Sequence, residues 1–151
     1  MKVTDILAVK GRLVVTVQAS ESIATLSERL RERRIGAAVV SRDGQSVDGV
    51  ISERDIAYGL AVHRADLHAL AVSALMTTTV ITCSPGDKVS DVASTMVARN
   101  IRHVPVVEEN RLVGMISIRD VLNFRVDDLQ QQTSMLRAFA SEIGREPQDR
   151  E

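Results

Sequence analysis

Ser52, Arg54 and Asp55 reappear in the same order and spacing as Ser117, Arg119 and Asp120. The segment Gly49-Val50-Ile51-Ser52-Glu53-Arg54-Asp55-Ile56 returns 65 residues later as Gly114-Met115-Ile116-Ser117-Ile118-Arg119-Asp120-Val121. Ser-x-x-Asp is in the first place a helix start. The serine accepts from a backbone N–H and the carboxylate three residues on favours the positive end of the helix dipole, together worth roughly 1 to 2 kcal/mol. Capping requires neither the arginine before each aspartate nor the glycine that opens each segment. A carboxylate at the mouth of a sheet–helix junction can also accept from both hydroxyls of a ribose, while Ser and exposed N–H groups at the same helix start hold polar ligand atoms. Arg54 and Arg119 would then offer a planar donor fork to phosphate. With an aliphatic cleft alongside to sandwich a purine, these residues describe an adenosine-nucleotide pocket without catalytic machinery.

The elements that must position them are also present twice, as expected when an internal repeat fixes the architecture to two copies of one unit. Val15-Thr16-Val17 and Ile81-Thr82-Cys83 are short strand-like runs, each followed by a turn, Gln18-Ala19-Ser20 and Ser84-Pro85-Gly86. A helix follows in each copy, with its apolar stripe at Ile23, Leu26 and Leu30 or at Val89, Val92, Met96 and Val97. Gly36-Ala37-Ala38-Val39-Val40 and Val104-Pro105-Val106-Val107 then pair as hairpins with the motif strands through polar turns of nearly equal length, Asp43 to Ser46 and Glu108 to Arg111. Each copy reads strand, helix, strand, strand, helix. Residues 61–74 link the copies and are expected to prolong the first motif helix through Leu67, Leu70 and Val72.

At 151 residues, two half-domains of about 60 to 70 residues, each marginal alone, would share a buried face. Aromatic residues make up 2% of the chain, so the core is aliphatic and there are no platforms for base stacking. The net charge of −1 leaves no basic excess for a nucleic-acid backbone. The chain shows neither a leader-like start nor 18 consecutive apolar residues, and a cytoplasmic protein away from membranes is expected. The single cysteine, Cys83, reads as a small buried hydrophobe rather than a reactive thiol.

From Leu122 onward Val126, Leu129, Thr133, Leu136, Ala140 and Ile143 alternate steps of three and four, like a short coiled-coil seam, and Gly144 with Pro147 ends that helix. It is expected to pack on its own module or on a second subunit.

Taken together, the paired Gly-h-h-Ser-x-x-Asp segments, the order of elements and the run Ile101-Arg102-His103-Val104-Pro105-Val106 resemble tandem CBS domains, the cystathionine β-synthase type of regulatory repeat paired as a Bateman module. The resemblance covers about residues 3 to 126 and is strongest to free-standing bacterial CBS-pair proteins. It implies an α+β, sandwich-like fold of two pseudo-symmetric repeats, residues 1–68 and 69–126, packed through their sheets, with a C-terminal helix and tail over residues 127–151. It further implies two clefts for AMP, ADP, ATP or NAD, with AMP foremost and no catalytic cofactor. By position, Asp120 with Ser117 beside it would hold ribose in one cleft, edged by Leu13 to Thr16, and Asp55 with Ser52 in the other, edged by Thr77, Val80 and Thr82. Ile35 and Ile101 would flank adenine, and Arg102 and His103 would reach phosphate, next to Pro105. Where the second copy has Arg102-His103 the first has Gly36-Ala37, so the clefts are not equivalent and the Asp120 cleft is expected to bind more strongly.

The implied function is regulatory: nucleotide binding reports energy or redox state and passes to a second copy of the chain or to an effector protein. Two other classes compete. In an interaction module that needs no ligand the Ser-x-x-Asp segments are only caps, and in a nucleotide-converting enzyme Arg102 or His103 would be essential. No nucleophile–base–carboxylate set can be drawn around His103, and the i, i+5 spacing of His63 and His68, with Asp66 between, does not build a metal site on one helical face.

Overall fold

A computed structural model describes residues 1–144, so Pro147 lies outside the described residues. The elements run α1 (Val3–Lys10), β1 (Thr16–Val17), α2 (Ile23–Arg33), β2 (Ala37–Val40), β3 (Gly49–Ser52), α3 (Glu53–His63), two 3-10 turns (Arg64–Ala69 and Val72–Ala74), α4 (Val89–Arg99), β4 (His103–Glu108), β5 (Arg111–Ser117) and α5 (Ile118–Ile143). The fold is the expected mixed α and β architecture of two repeats, each with its own small sheet. In the first, β1 lies parallel to β2, and β2 antiparallel to β3. In the second, β4 and β5 are antiparallel, and the strand expected at residues 81–83 shrinks to one parallel bridge, Cys83 to Val106. Cys83 N–H donates to the Pro105 carbonyl and its own carbonyl accepts from Val107 N–H, the same exchange that Val17 and its neighbours make with β2.

Each repeat has its own aliphatic core. Ile23, Leu26 and Leu30 of α2 pack with Val17, Ala38, Val40 and Ile51 in the first. Val89, Val92 and Met96 of α4 pack with Cys83, Val104, Val106 and Ile116 in the second. Val97, expected in the α4 stripe, instead stands 78% exposed, because the stripe closes at Met96 and the next position faces solvent. Cys83 is buried, and burial first, with Asp87 nearby, pushes its thiol up to about 12, so it stays protonated.

The hairpins are less alike than expected. The second keeps pairing to Glu108 and Arg111 and turns in two residues, Glu109 and Asn110, both at positive φ, as a tight hairpin turn requires. The first stops at Val40 and Gly49, and the longer loop is tied by Asp43, whose carboxylate accepts from the Gln45 and Ser46 N–H groups.

The linker does not extend α3. Arg64 at φ 51° ends the helix, and the chain turns back so that Leu67 and Val72 enter the first core. There residues 70–73 bond to the turn before α2: Ile23 N–H donates to Leu70 O, Val72 N–H to Glu21 O and Ser73 N–H to Ala19 O. The amino terminus makes the matching contacts with the other repeat, Val3 N–H to Asp87 O, Thr4 N–H to Pro85 O and Val89 N–H to Met1 O. Its helix α1 was not anticipated, although Val3, Ile6 and Leu7 carry a helical spacing, and all three are buried in the second core. Each entry segment thus packs on the repeat other than the one it leads into.

This exchange accounts for the repeated glycines. A β-carbon on Gly114 would stand 2.7 Å from Leu7 Cδ2, and one on Gly49 would stand 3.0 Å from both Met76 Sδ and the Thr77 carbonyl. Both glycines make room for an entry segment. α5 runs 26 residues without a break from its Ser117 cap to Gly144, so the second motif helix and the C-terminal helix are one element. No helix among the described residues is long and apolar enough to cross a membrane.

Candidate functional site

Both motif aspartates sit where the capping argument puts them. Ser52 N–H donates to Asp55 Oδ2 at 2.8 Å and Asp55 N–H donates to Ser52 Oγ at 3.4 Å; the matching bonds at Ser117 and Asp120 are 2.8 and 3.2 Å. Capping uses only Oδ2, and Oδ1 of each carboxylate accepts no bond from the described residues. Both carboxylates border open clefts between the repeats, so capping and ligand binding are compatible roles for one side chain.

The Asp55 cleft, about 190 Å³, is walled by Val50, Ser52, Arg54 and Asp55 of the first repeat, by Thr77, Thr79, Val80 and Ile81 of the entry segment, and by Asn100 to His103 of the second. The Asp120 cleft is larger, about 840 Å³. Ser117, Arg119 and Asp120 face Leu13, Val14 and Val15 across it, with Ile35, Gly36 and Ala37 behind. Arg102 and His103 reach both clefts. Three expected residues lie elsewhere. Pro105 is buried in β4, Thr16 pairs with Val39 while its carbonyl accepts from Arg29 Nη1, and Thr82 is exposed beyond the cleft wall. Along both entry runs the three residues before these threonines, 13–15 and 79–81, border the clefts.

The two sites differ in how the carboxylate is held. In the Asp120 cleft Lys10, at the end of α1, donates through Nζ to Asp120 Oδ2 at 2.7 Å and to the Met115 carbonyl at 2.8 Å. Met115 stands opposite Pro105, which has no N–H to give it. Burial pushes the Asp120 carboxyl up, but the Lys10 ammonium and the Ser117 N–H pull it down further, and the net shift is downward. At Asp55 the second donor is only Ser52 Oγ, at 3.0 Å, a hydroxyl that can rotate away. Arg54, expected to meet phosphate, donates from Nη1 to the Asn100 carbonyl at 2.9 Å and so ties the motif helix to the opposite repeat.

His103 is half-buried between the clefts. Desolvation holds its pKa below the usual value, outweighing the Glu53 and Asp120 charges that would raise it, and the ring is therefore neutral at neutral pH. Glu53 borders both clefts, and a β-carbon on Gly36 would lie 3.3 Å from Glu53 Oε1 and His103 Cε1, so the glycine lets these two groups sit close to the β2 backbone. Sequence reasoning passed over Glu53 because its counterpart is Ile118, and Lys10 because nothing about a lysine ahead of Gly11 marks it. The spacing of Val3, Ile6, Leu7 and Lys10 was the one available signal. His63 ends α3, and the His68 ring pairs with the Ala65 carbonyl.

The CBS-domain family model matches residues 11–61 and 72–127. This chain belongs to the CBS-domain family, as a tandem pair. The CBS-domain protein ATU1752 from Agrobacterium tumefaciens superposes with a TM-score of 0.80 at 38% identity, over 83% of this chain and 99% of that one. The CBS pair of protein MJ0100, solved with 5-methylthioadenosine and S-adenosylmethionine, gives 0.76 at 27% identity over 85% and 98%. The CBS protein PAE2072 from Pyrobaculum aerophilum, solved with AMP, gives 0.70 at 33% over 80% and 89%. The chain spans between 40% and 76% of the length of the first four curated relatives it matches.

Proposed function

We propose that this CBS pair binds adenine nucleotides, AMP foremost with ADP, ATP and NAD as relatives, in its two clefts, and reports their level without chemical turnover. One observation carries the reading: each cleft sets the capped aspartate of one repeat, with an unused Oδ1, against entry and wall segments contributed largely by the other. A ligand gripping ribose at Asp55 or Asp120 therefore bridges the repeats and favours one arrangement of them. At a hundred times its dissociation constant, it stabilises that arrangement by about 2.7 kcal/mol. The adenosyl ligands of the PAE2072 and MJ0100 structures support the same chemistry.

The test is a melting-temperature screen against AMP, ADP, ATP, NAD and S-adenosylmethionine, repeated with Asp55→Asn and Asp120→Asn. Asparagine keeps an oxygen for the cap and removes the charge, so loss of fold and loss of ligand separate. The reading expects a rise with at least one nucleotide that shrinks in each variant. Wild-type curves that do not move with any of the five would leave a ligand-independent interaction module.

We infer that the signal passes through α5 to a second copy of the chain and from there to an effector protein. Leu129, Leu136 and Ile143 lie seven apart on α5 and are 55%, 69% and 63% exposed, with Val126, Thr133 and Ala140 alternating between them. A seam of this pattern is covered when two such helices pair. Leu129→Arg with Leu136→Arg is expected to turn a dimer into a monomer by light scattering, and a wild-type monomer would refute the pairing.

A further inference from the structure

The two clefts are charged differently, for a reason visible in the repeat. Residues 31, 34, 36 and 37 of the first copy correspond to 97, 100, 102 and 103 of the second, a constant step of 66. The first copy supplies Arg31, Arg34, Gly36 and Ala37, and the second Val97, Asn100, Arg102 and His103. Because Arg102 and His103 border both clefts, the Asp120 cleft receives the cations of both copies, whereas the Asp55 cleft receives those of one.

The Asp120 cleft is thus lined by Lys10, Arg31, Arg34, Arg102 and Arg119 against two carboxylates, Glu53 and Asp120, the latter already paired with Lys10. The Asp55 cleft has Arg54 and Arg102 against Glu53 and Asp55, and Arg54 is spent on the Asn100 carbonyl. Backbone geometry sets Arg34 apart further. It ends α2 at φ 52° and ψ 46°, and Asn100 ends α4 at φ 52° and ψ 44°. Asparagine is among the residues that suit this left-handed position, while arginine adopts it at a cost. The strained arginine stands on the wall of the cleft with more than four times the volume of the other.

We propose that the Asp120 cleft takes a nucleoside polyphosphate whose terminal phosphates are held by Arg31 and Arg34, and that the Asp55 cleft takes at most a monophosphate. This rests on the nucleotide-binding reading and names the ligand class of each half of it. Planar guanidinium forks pair two oxygens of a phosphate at once, and an excess of cations beside an open cleft raises the local concentration of a highly charged anion.

The experiment is calorimetric titration of Asp55→Asn protein, in which the Asp120 cleft alone reports, with AMP and with ATP in chelator. ATP is expected to bind about tenfold more tightly than AMP or better. Adding Arg31→Gln with Arg34→Asn should collapse that preference to about threefold or less. Arg33→Gln, on the same helix but away from the cleft, should leave it intact. Arg34→Asn installs the residue found at the equivalent cap, so the melting temperature reports any loss of fold. Equal affinity for AMP and ATP, or a preference that survives loss of both arginines, would overturn the proposal while AMP binding itself stands. Failure of both nucleotides to bind wild-type protein would overturn the underlying reading as well.

Discussion

Replacing Lys10 by methionine should tighten adenosine binding at the Asp120 cleft while slightly destabilising the protein. A ribose diol makes its best contact with a carboxylate by using both oxygens. Asp120 Oδ2 already accepts from Ser117 N–H at 2.8 Å and Lys10 Nζ at 2.7 Å, so the second hydroxyl must displace the lysine. The Lys10 side chain is 35% exposed and that of Asp120 18%, which places the pair toward the solvent-screened end of the scale, at about 1 kcal/mol. Removing the competitor would therefore improve adenosine affinity about fivefold and lower the melting temperature by about 2 to 5 °C. Methionine keeps the aliphatic stem over the core and discards only the charge. Calorimetry with adenosine in an Asp55→Asn background reads the affinity, because that ligand has no phosphate for a freed ammonium to follow. A weaker rather than tighter adenosine complex would refute the reasoning, since Lys10 would then be a contact for the ligand and not its rival.

Other consequences are as direct. His103 has a depressed pKa in the fold, so the native state binds fewer protons there than the unfolded chain. Stability contributed at this site is therefore gained as pH rises through the window from the folded value to about 6.5, and is lost on acidification. A phosphate beside the ring reverses the preference, so AMP binding should take up part of a proton near pH 6, visible as a buffer-dependent heat that His103→Gln abolishes. Gly114→Ala should cost about 1 to 3 kcal/mol in chemical melts, because its β-carbon would meet Leu7 Cδ2 inside a packed core; an unchanged midpoint would mean that α1 is not firmly docked. Cys83 should react with a thiol reagent only as fast as the protein unfolds, and fast labelling of native protein would contradict its burial.

Much of this was legible in the sequence because it was written twice. Repeating Ser-x-x-Asp behind an aliphatic strand specifies a cap and a strand–helix junction whatever surrounds it, and the stripe of Ile23, Leu26 and Leu30 can only face a core. The illegible parts depend on contacts far apart in sequence. Nothing near Lys10 announces that α1 will dock in the second repeat, 105 residues from Met115. The linker, read as a helix from Leu67, Leu70 and Val72, carries apolar residues because it must dive back into the first core, and Arg64 at positive φ, which aims it there, has no sequence signature. Pro105 looked like a cleft residue by its place in Ile101 to Val106, and it does share the His103 face of β4, opposite Val104 and Val106, but it is covered there and lines neither cleft. The glycines at 49 and 114 were legible as repeated but not as spacers, since what they make room for, Leu7 and residues 76–77, belongs to the exchanged entry segments.

The central claim is that two carboxylates, each already serving as a helix cap, also grip the sugar of an adenosyl ligand. The number of AMP molecules bound at saturation by wild-type, Asp55→Asn, Asp120→Asn and the double variant, each verified as folded by its melting curve, tests it most directly. Two sites in the first protein, one in each single variant and none in the double variant is the expected result. AMP bound by the folded double variant as it is by wild-type would contradict the claim.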